Sequence, residues 1–157
     1  MNRIFSIFYP FIFCICIFSI LVALYIEHVL SVSPCKLCLY QRIPYILSII
    51  ISIFGYFFSK NKIWIYLLIL IFFSSSIISG YHFGIENNIF NEYSGCANES
   101  LEIIDKKELL QNLNNFLPTC KDINFRIFGL SLATINFVLS IALTIITIKY
   151  LFNEKNK

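Results

Sequence analysis

Hydrophobic residues in this 157-residue chain come in long unbroken blocks, not in the alternation of strands or the one-sided stripe of a soluble helix. Four stretches, 4–26, 43–59, 63–85 and 127–148, contain no Lys, Arg, Asp or Glu. Each is close to the roughly 20 residues a helix needs to cross the hydrocarbon of a bilayer. The pattern predicts an all-α protein, an integral membrane four-helix bundle forming a single domain over residues 1–157. The first block follows Arg3 and is longer than the roughly 7 to 15 apolar residues of a signal peptide, and no A-x-A site follows it. It is therefore expected to stay as a span.

The polar residues between the blocks set an orientation. Arg3, the Lys60-Asn61-Lys62 turn, Lys149, Lys155 and Lys157 fall on one side, opposed only by Glu154. By the positive-inside rule that side is cytoplasmic, with both termini on it. The other side receives two loops, about 28–40 and 86–125, the second carrying Glu86, Glu92, Glu99, Glu102, Asp105, Glu108 and Asp122. Composition agrees: 58% of residues are hydrophobic, 17% aromatic and 13% charged, more apolar surface than a soluble domain can hide. The net charge of +3 follows from topology and argues against nucleic acid as a partner, because the bases sit at membrane ends and form no single patch.

Within the long loop, Asp105-Lys106-Lys107-Glu108 has capping-box spacing, and Leu109, Leu110, Leu113, Phe116 and Leu117 recur at helical intervals before Pro118. A short amphipathic helix is expected there, its apolar face suited either to the membrane surface or to the bundle. In the third span Ser76, Gly80 and Gly84 recur every four residues, a spacing that lets a neighbouring helix approach closely.

Six cysteines divide by topology. Cys14 and Cys16 lie inside the first span and point about 200° apart, so they cannot readily pair and are read as small buried hydrophobes. Cys35, Cys38, Cys96 and Cys120 lie in outer-face segments, where disulfides persist if that face is a bacterial periplasm. Two disulfides are expected. Closing the 25 residues from Cys96 to Cys120 stabilises by roughly 3.5 kcal/mol, closing the four from Cys35 to Cys38 by only roughly 2. The short pair is a poor staple and better suited to redox work. Pro34 biases Ser33 to an extended conformation, the helix is expected to begin at the motif, and its N-terminal potential, Lys36 and Arg42 favour a thiolate. Arg42 is one helical turn from Cys38, at i, i+4, placing a cation by the inner cysteine. A four-thiolate zinc site is the rival reading, but structural zinc sites usually bring two closely spaced pairs, and 23 residues split the second pair; no metal is assigned. C-x-x-C-H haem attachment is excluded, because Leu39 follows Cys38.

Thiol–disulfide exchange only relocates electrons, so two cysteine pairs need a terminal acceptor. The chain has no G-x-G-x-x-G loop for a flavin or nicotinamide. Cys38 and Arg42 lie near the membrane, which points to a quinone, ubiquinone or menaquinone. Arg42 is the candidate hydrogen-bond donor to a quinone carbonyl.

At this point the residues resemble the disulfide bond formation protein B (DsbB) family over nearly the whole chain. His28-Val29 and Pro34-Cys35-Lys36-Leu37-Cys38-Leu39-Tyr40-Gln41-Arg42 are similar to that family's H-V, P-C-x-x-C and Y-x-R signature. Tyr81-His82-Phe83-Gly84-Ile85-Glu86 is similar to its Y-H-x-G-x-E segment, and Pro118-Thr119-Cys120 with Gly129-Leu130-Ser131-Leu132-Ala133 resembles the entry to the last span. Two departures are Gln41, where many members carry Glu, and Phe125 and Phe128, in a region often richer in Trp. The resemblance implies a bacterial inner-membrane thiol:quinone oxidoreductase that reoxidises a periplasmic thioredoxin-like DsbA-type oxidase. It further implies that Cys96 meets that partner, Cys120 passes electrons to Cys35, and Cys38 faces the quinone. With Gln41 in place of Glu, proton handling falls to water, His82 or Glu86. His82 is thereby a candidate for the quinone site, its alternative being a polar cap on the third span. Vitamin K epoxide reductase-like proteins carry their C-x-x-C late and their loop pair early, the reverse of this chain. The remaining alternative is a small membrane protein with two structural disulfides and a transport or assembly role. Such disulfides sit below about −300 mV and resist mild reductant.

Overall fold

The computed structural model describes residues 3–58, 61–91, 120, 126–127 and 129–155. Three helices, α1 (Arg3–His28), α2 (Lys36–Phe57) and α3 (Ile63–Glu86), are followed by two short strands, β1 (Arg126–Ile127) and β2 (Leu130–Ser131), and a last helix, α4 (Leu132–Lys155). Helices of 22 to 26 residues measure about 33 to 39 Å at about 1.5 Å per residue, and all four are long and apolar enough to span a membrane. The chain is thus the four-helix membrane bundle that its blocks predict. The amphipathic helix expected over 105–117 lies outside the described residues.

Two helix starts differ from the edges of the uncharged blocks, each for a local reason. α2 begins at Lys36, seven residues before its block, because Cys35 caps it: extended at φ −72°, ψ 167°, its sulfur accepts the Cys38 N–H at 3.3 Å. A thiol here fills the place usually taken by a Ser or Asp oxygen. Lys36 and Arg42 therefore sit on the first two turns of a helix that begins at the cysteine motif, as expected. α4 begins at Leu132, five residues into its block. The preceding residues pair as an antiparallel ribbon, Arg126 opposite Ser131, about a turn in which Gly129 takes φ 83°.

The interior of the bundle holds many small polar residues, while large apolar side chains face outward. Ser48, Ser52, Ser75, Ser79, Ser140 and Thr147 are buried, whereas Phe18, Phe57, Leu70 and Val138 face outward. Lipid gives apolar side chains no reason to hide, so helices associate through small residues and hydrogen bonds. α3 packs on both α2 and α4, and α1 on α2. The tight core gathers Phe8, Tyr9, Ile12 and Cys16 of α1 against Tyr45, Ile65, Leu68, Phe72 and Leu143. Gly55 receives the Tyr9 ring, and Gly80 receives Phe137 of α4. Gly84 receives Phe90, whose position follows from the way α3 ends. Asn88 takes φ 57°, its N–H returns to the Ile85 carbonyl at 3.0 Å and that of Ile89 to the Gly84 carbonyl at 2.8 Å. This is a Schellman stop with Asn in the place of Gly. The Ser76–Gly80–Gly84 row thus serves helix packing at Gly80 and loop packing at Gly84.

At one end of the bundle α1 and α4 touch, Phe8 stacking on Tyr150 at 3.9 Å between ring centroids. Towards the other end the space between them becomes a cavity of about 700 Å³, where the candidate residues collect.

Candidate functional site

The cysteine motif shapes the mouth of the cavity. With Cys35 as the cap and Cys38 in the first turn, the two sulfurs lie 3.0 Å apart and Cys35 Sγ–H donates to Cys38 Sγ. That is beyond the roughly 2.05 Å of a disulfide, and the two sulfurs meet as hydrogen-bonded free thiols. Cys120 joins it although 82 residues separate it from Cys38: Cys35, Ile85 and Cys120 form one buried cluster, with Leu37, Cys38 and Tyr81 packed around it. The Cys120 side chain hydrogen-bonds Cys35, which draws that thiol's pKa down, but the Cys38 hydrogen bond and burial outweigh it and push Cys35 up to about 12. Cys35 is therefore the protonated member at neutral pH. The Cys38 sulfur receives its hydrogen bond in the first turn of α2. Cys96 lies outside the described residues.

His82 is buried beside these sulfurs, Nε2 3.6 Å from Cys35 Sγ and 3.8 Å from Glu86 Oε1. The backbone of Cys120 hydrogen-bonds the same ring. On the other side, Gln41 Nε2 lies 3.0 Å from His82 Nδ1, Asn136 Nδ2 donates to Gln41 Oε1 at 2.8 Å, and the Tyr45 hydroxyl donates to Asn136 Oδ1 at 2.5 Å. Each donor in this chain points towards the ring. Gln41 thus offers its N–H to Nδ1, and the ring proton resides on Nε2, facing the sulfurs and a carboxylate. Glu86 is held in turn by the Ser131 hydroxyl.

Arg42 is committed elsewhere. Its Nη1 pairs with Glu27 Oε2 at 2.6 Å, the two side chains 19% and 25% exposed, and both line the cavity. The walls are apolar, from Phe11, Ile15, Phe18 and Val22 of α1 and Leu132, Ile135 and Leu139 of α4; the polar lining clusters at one end as Cys35, Cys38, Gln41, Arg42, His82 and Glu86. A site of this size with one polar end fits a flat ring bearing carbonyl acceptors and an apolar tail. The donor set fits as well: Arg42 and His82 Nε2 both offer protons.

The structure thus places Cys35, Cys38, Cys120 and His82 together, with Arg42 on the same cavity. Sequence reading passed over Glu27, Tyr45 and Asn136. Their only advance signal is that each is polar within or at the end of a span, a position seldom filled without a partner.

The family model described as "Disulfide bond formation protein DsbB" matches residues 6–149. The chain belongs to the DsbB family. Among curated relatives it is similar to uncharacterized protein RP370 of Rickettsia prowazekii, 29% identical over 136 residues, which is 83% of this chain and 78% of that one. It is also similar to disulfide bond formation protein B of Marinobacter nauticus, 24% identical over 128 residues, 77% and 76% of the two chains. Membership of the DsbB family gives the site its general setting, a multi-pass membrane protein of disulfide bond formation.

Proposed function

We propose that the protein is a protein dithiol:quinone oxidoreductase of a bacterial inner membrane, reoxidising a periplasmic DsbA-type partner and passing its electrons to membrane quinone. The observation that carries this reading is the meeting of three cysteines, Cys35, Cys38 and Cys120, at the polar end of an apolar cavity between membrane-spanning helices.

The exchanges balance as follows. A partner dithiol reduces a Cys96–Cys120 disulfide and leaves with a disulfide of its own. Cys120 thiolate attacks Cys35 of the Cys35–Cys38 disulfide; an S–S bond forms between Cys120 and Cys35, and Cys38 leaves as thiolate. Cys96 then attacks Cys120, the loop disulfide re-forms, and Cys35 is released and takes a proton. Bound quinone supplies the acceptor for the two electrons and two protons that leave when Cys35 and Cys38 are reoxidised. Arg42 and His82 would hold the ring's oxygens by hydrogen bonds, and His82 Nε2–H is placed to hold a proton at the reacting end. Apolar walls exclude water and the competing oxidants it carries.

The test is quinone reduction by the purified protein in detergent, with a reduced DsbA-like protein as donor and Cys38→Ser as control. Turnover with ubiquinone or menaquinone, abolished in the variant, is expected. Absence of turnover with both quinones in folded protein would return the chain to the reading of two structural disulfides.

A further inference from the structure

Three donors that meet at the cavity mouth also suit a metal ion, which the spacing of these residues in sequence conceals. Cys35 Sγ, Cys38 Sγ and a ring nitrogen of His82 lie within 4.8 Å of one another, with Sγ–Sγ 3.0 Å and Sγ–Nε2 3.6 Å. Zinc bonds of about 2.3 Å to sulfur and about 2.0 Å to nitrogen put tetrahedral donors roughly 3.5 to 3.8 Å apart. Movements of about 1 Å or less therefore seat an ion. The Cys120 side chain, hydrogen-bonded to Cys35, stands beside this set and not within it, so the fourth position is left to solvent.

We propose that the reduced protein binds one Zn²⁺ through Cys35, Cys38 and His82 Nε2, with solvent in the fourth position, and that this site exists only in the reduced state. Binding forms two Zn–S bonds and one Zn–N bond, and the thiol protons leave to solvent. Oxidation of the cysteines uses up the same sulfurs in S–S bonds and removes the site. Occupancy consequently blocks both disulfide exchange at Cys35 and reoxidation of the pair, making zinc a reversible inhibitor that engages the enzyme after it has accepted electrons.

The polar chain behind His82 accommodates the ion. A metal on Nε2 requires the ring proton on Nδ1. A half-turn of the Gln41 amide presents its oxygen to that proton, the Asn136 amide turns likewise, and Tyr45 redirects its hydroxyl to Ser140, 3.4 Å away. Every member keeps a partner, so the chain reverses as a unit.

The experiment titrates Zn²⁺ into the full-length protein in detergent, fully reduced and fully oxidised, against a chromophoric chelator, with Cd²⁺ in parallel for its sulfur-to-metal absorption. Binding needs no turnover, so its failure is separate from that of the proposed electron transfer. One ion per reduced chain and none per oxidised chain are expected. Cys38→Ser and His82→Ala should each weaken binding by about 100-fold or more, beyond the 10- to 100-fold typical of lost supporting groups. Cys14→Ser and Cys16→Ser should leave it unchanged. Equal binding by the oxidised protein, or affinity indifferent to both Cys38→Ser and His82→Ala, overturns the proposal. Should those variants fail to fold, ¹⁵N-histidine NMR of the unaltered chain decides: zinc must move the His82 ring proton from Nε2 to Nδ1, and an unmoved proton overturns the assignment.

Discussion

The side-chain nitrogen of Gln41 lies 3.0 Å from Nδ1 of His82, and this contact sets which face of the imidazole carries its proton. Gln41 cannot choose freely, because Asn136 occupies its oxygen and Tyr45 occupies that of Asn136. Gln41 is thus built into a directed hydrogen-bond chain ending beside the sulfurs.

The first prediction concerns that direction. The chain has two histidines, so a His28→Gln background leaves one imidazole to observe by ¹⁵N NMR. Metal-free protein should show the proton on Nε2. Gln41→Glu places a carboxylate, which only accepts, against Nδ1 and should draw the proton to that nitrogen. Gln41→Leu should leave a mixture and lower kcat by roughly 10- to 100-fold, part of the 10²- to 10⁴-fold that a positioned proton donor contributes. An unchanged tautomer in both variants would sink the idea.

Arg42 and Glu27 offer a second test. Truncating one partner strands the other in a partly dry site, and the 19% and 25% exposure limits the cost to about 1 kcal/mol in stability. Arg42→Leu should raise the quinone KM by about tenfold or more with a smaller change in kcat, because it removes a donor at the polar end of the cavity. Glu27→Gln frees the guanidinium and should leave KM near its original value. Equal defects from both variants would mean that the pair, not the arginine, is what matters.

The raised Cys35 thiol makes a pH prediction. A folded pKa near 12 against about 8.5 unfolded favours the protonated form in the fold. Its stabilising contribution is fully present below about pH 8.5 and is lost as pH rises towards 12. Thermal unfolding of the reduced protein should therefore weaken with alkali above about pH 8.5. At pH 7.5, alkylation followed by mass spectrometry should modify Cys38 well before Cys35. Equal rates at the two sulfurs would contradict the assignment.

What could be read from the sequence follows from the range of the forces involved. Four spans were legible because lipid demands about 20 apolar residues in a row, a strictly local requirement. Cys35 and Cys38 were legible because three residues bring them onto one helical turn. The start of α2 at the cysteine motif was legible because Pro34 turns the chain just before it, although Lys36 and Arg42 hold the uncharged block back to residue 43. The approach of Cys120 to Cys35, the Glu27 partner of Arg42 and the Gln41–Asn136 link all join segments far apart in the chain. Residue types announce that such groups need partners; only the packing of helices names them.

The last prediction tests that packing. A Cβ on Gly55 would lie 2.3 Å from Cε1 of Tyr9, a side chain with no exposure that anchors α1 in the core. A Cβ on Gly84 would lie equally close to Cδ2 of Phe90, but that ring is 50% exposed and can swing outward. The same substitution thus meets an immovable neighbour in one place and a movable one in the other. Gly55→Ala should destabilise the protein by about 1 to 3 kcal/mol, the usual cost of overpacking, with a matching fall in Tm in detergent. Gly84→Ala should stay within about 0.5 kcal/mol of the native chain, because lost contacts of Phe90 are offset by alanine's better helix propensity. The reverse ranking would show that α1 and α2 do not meet through Tyr9 and Gly55.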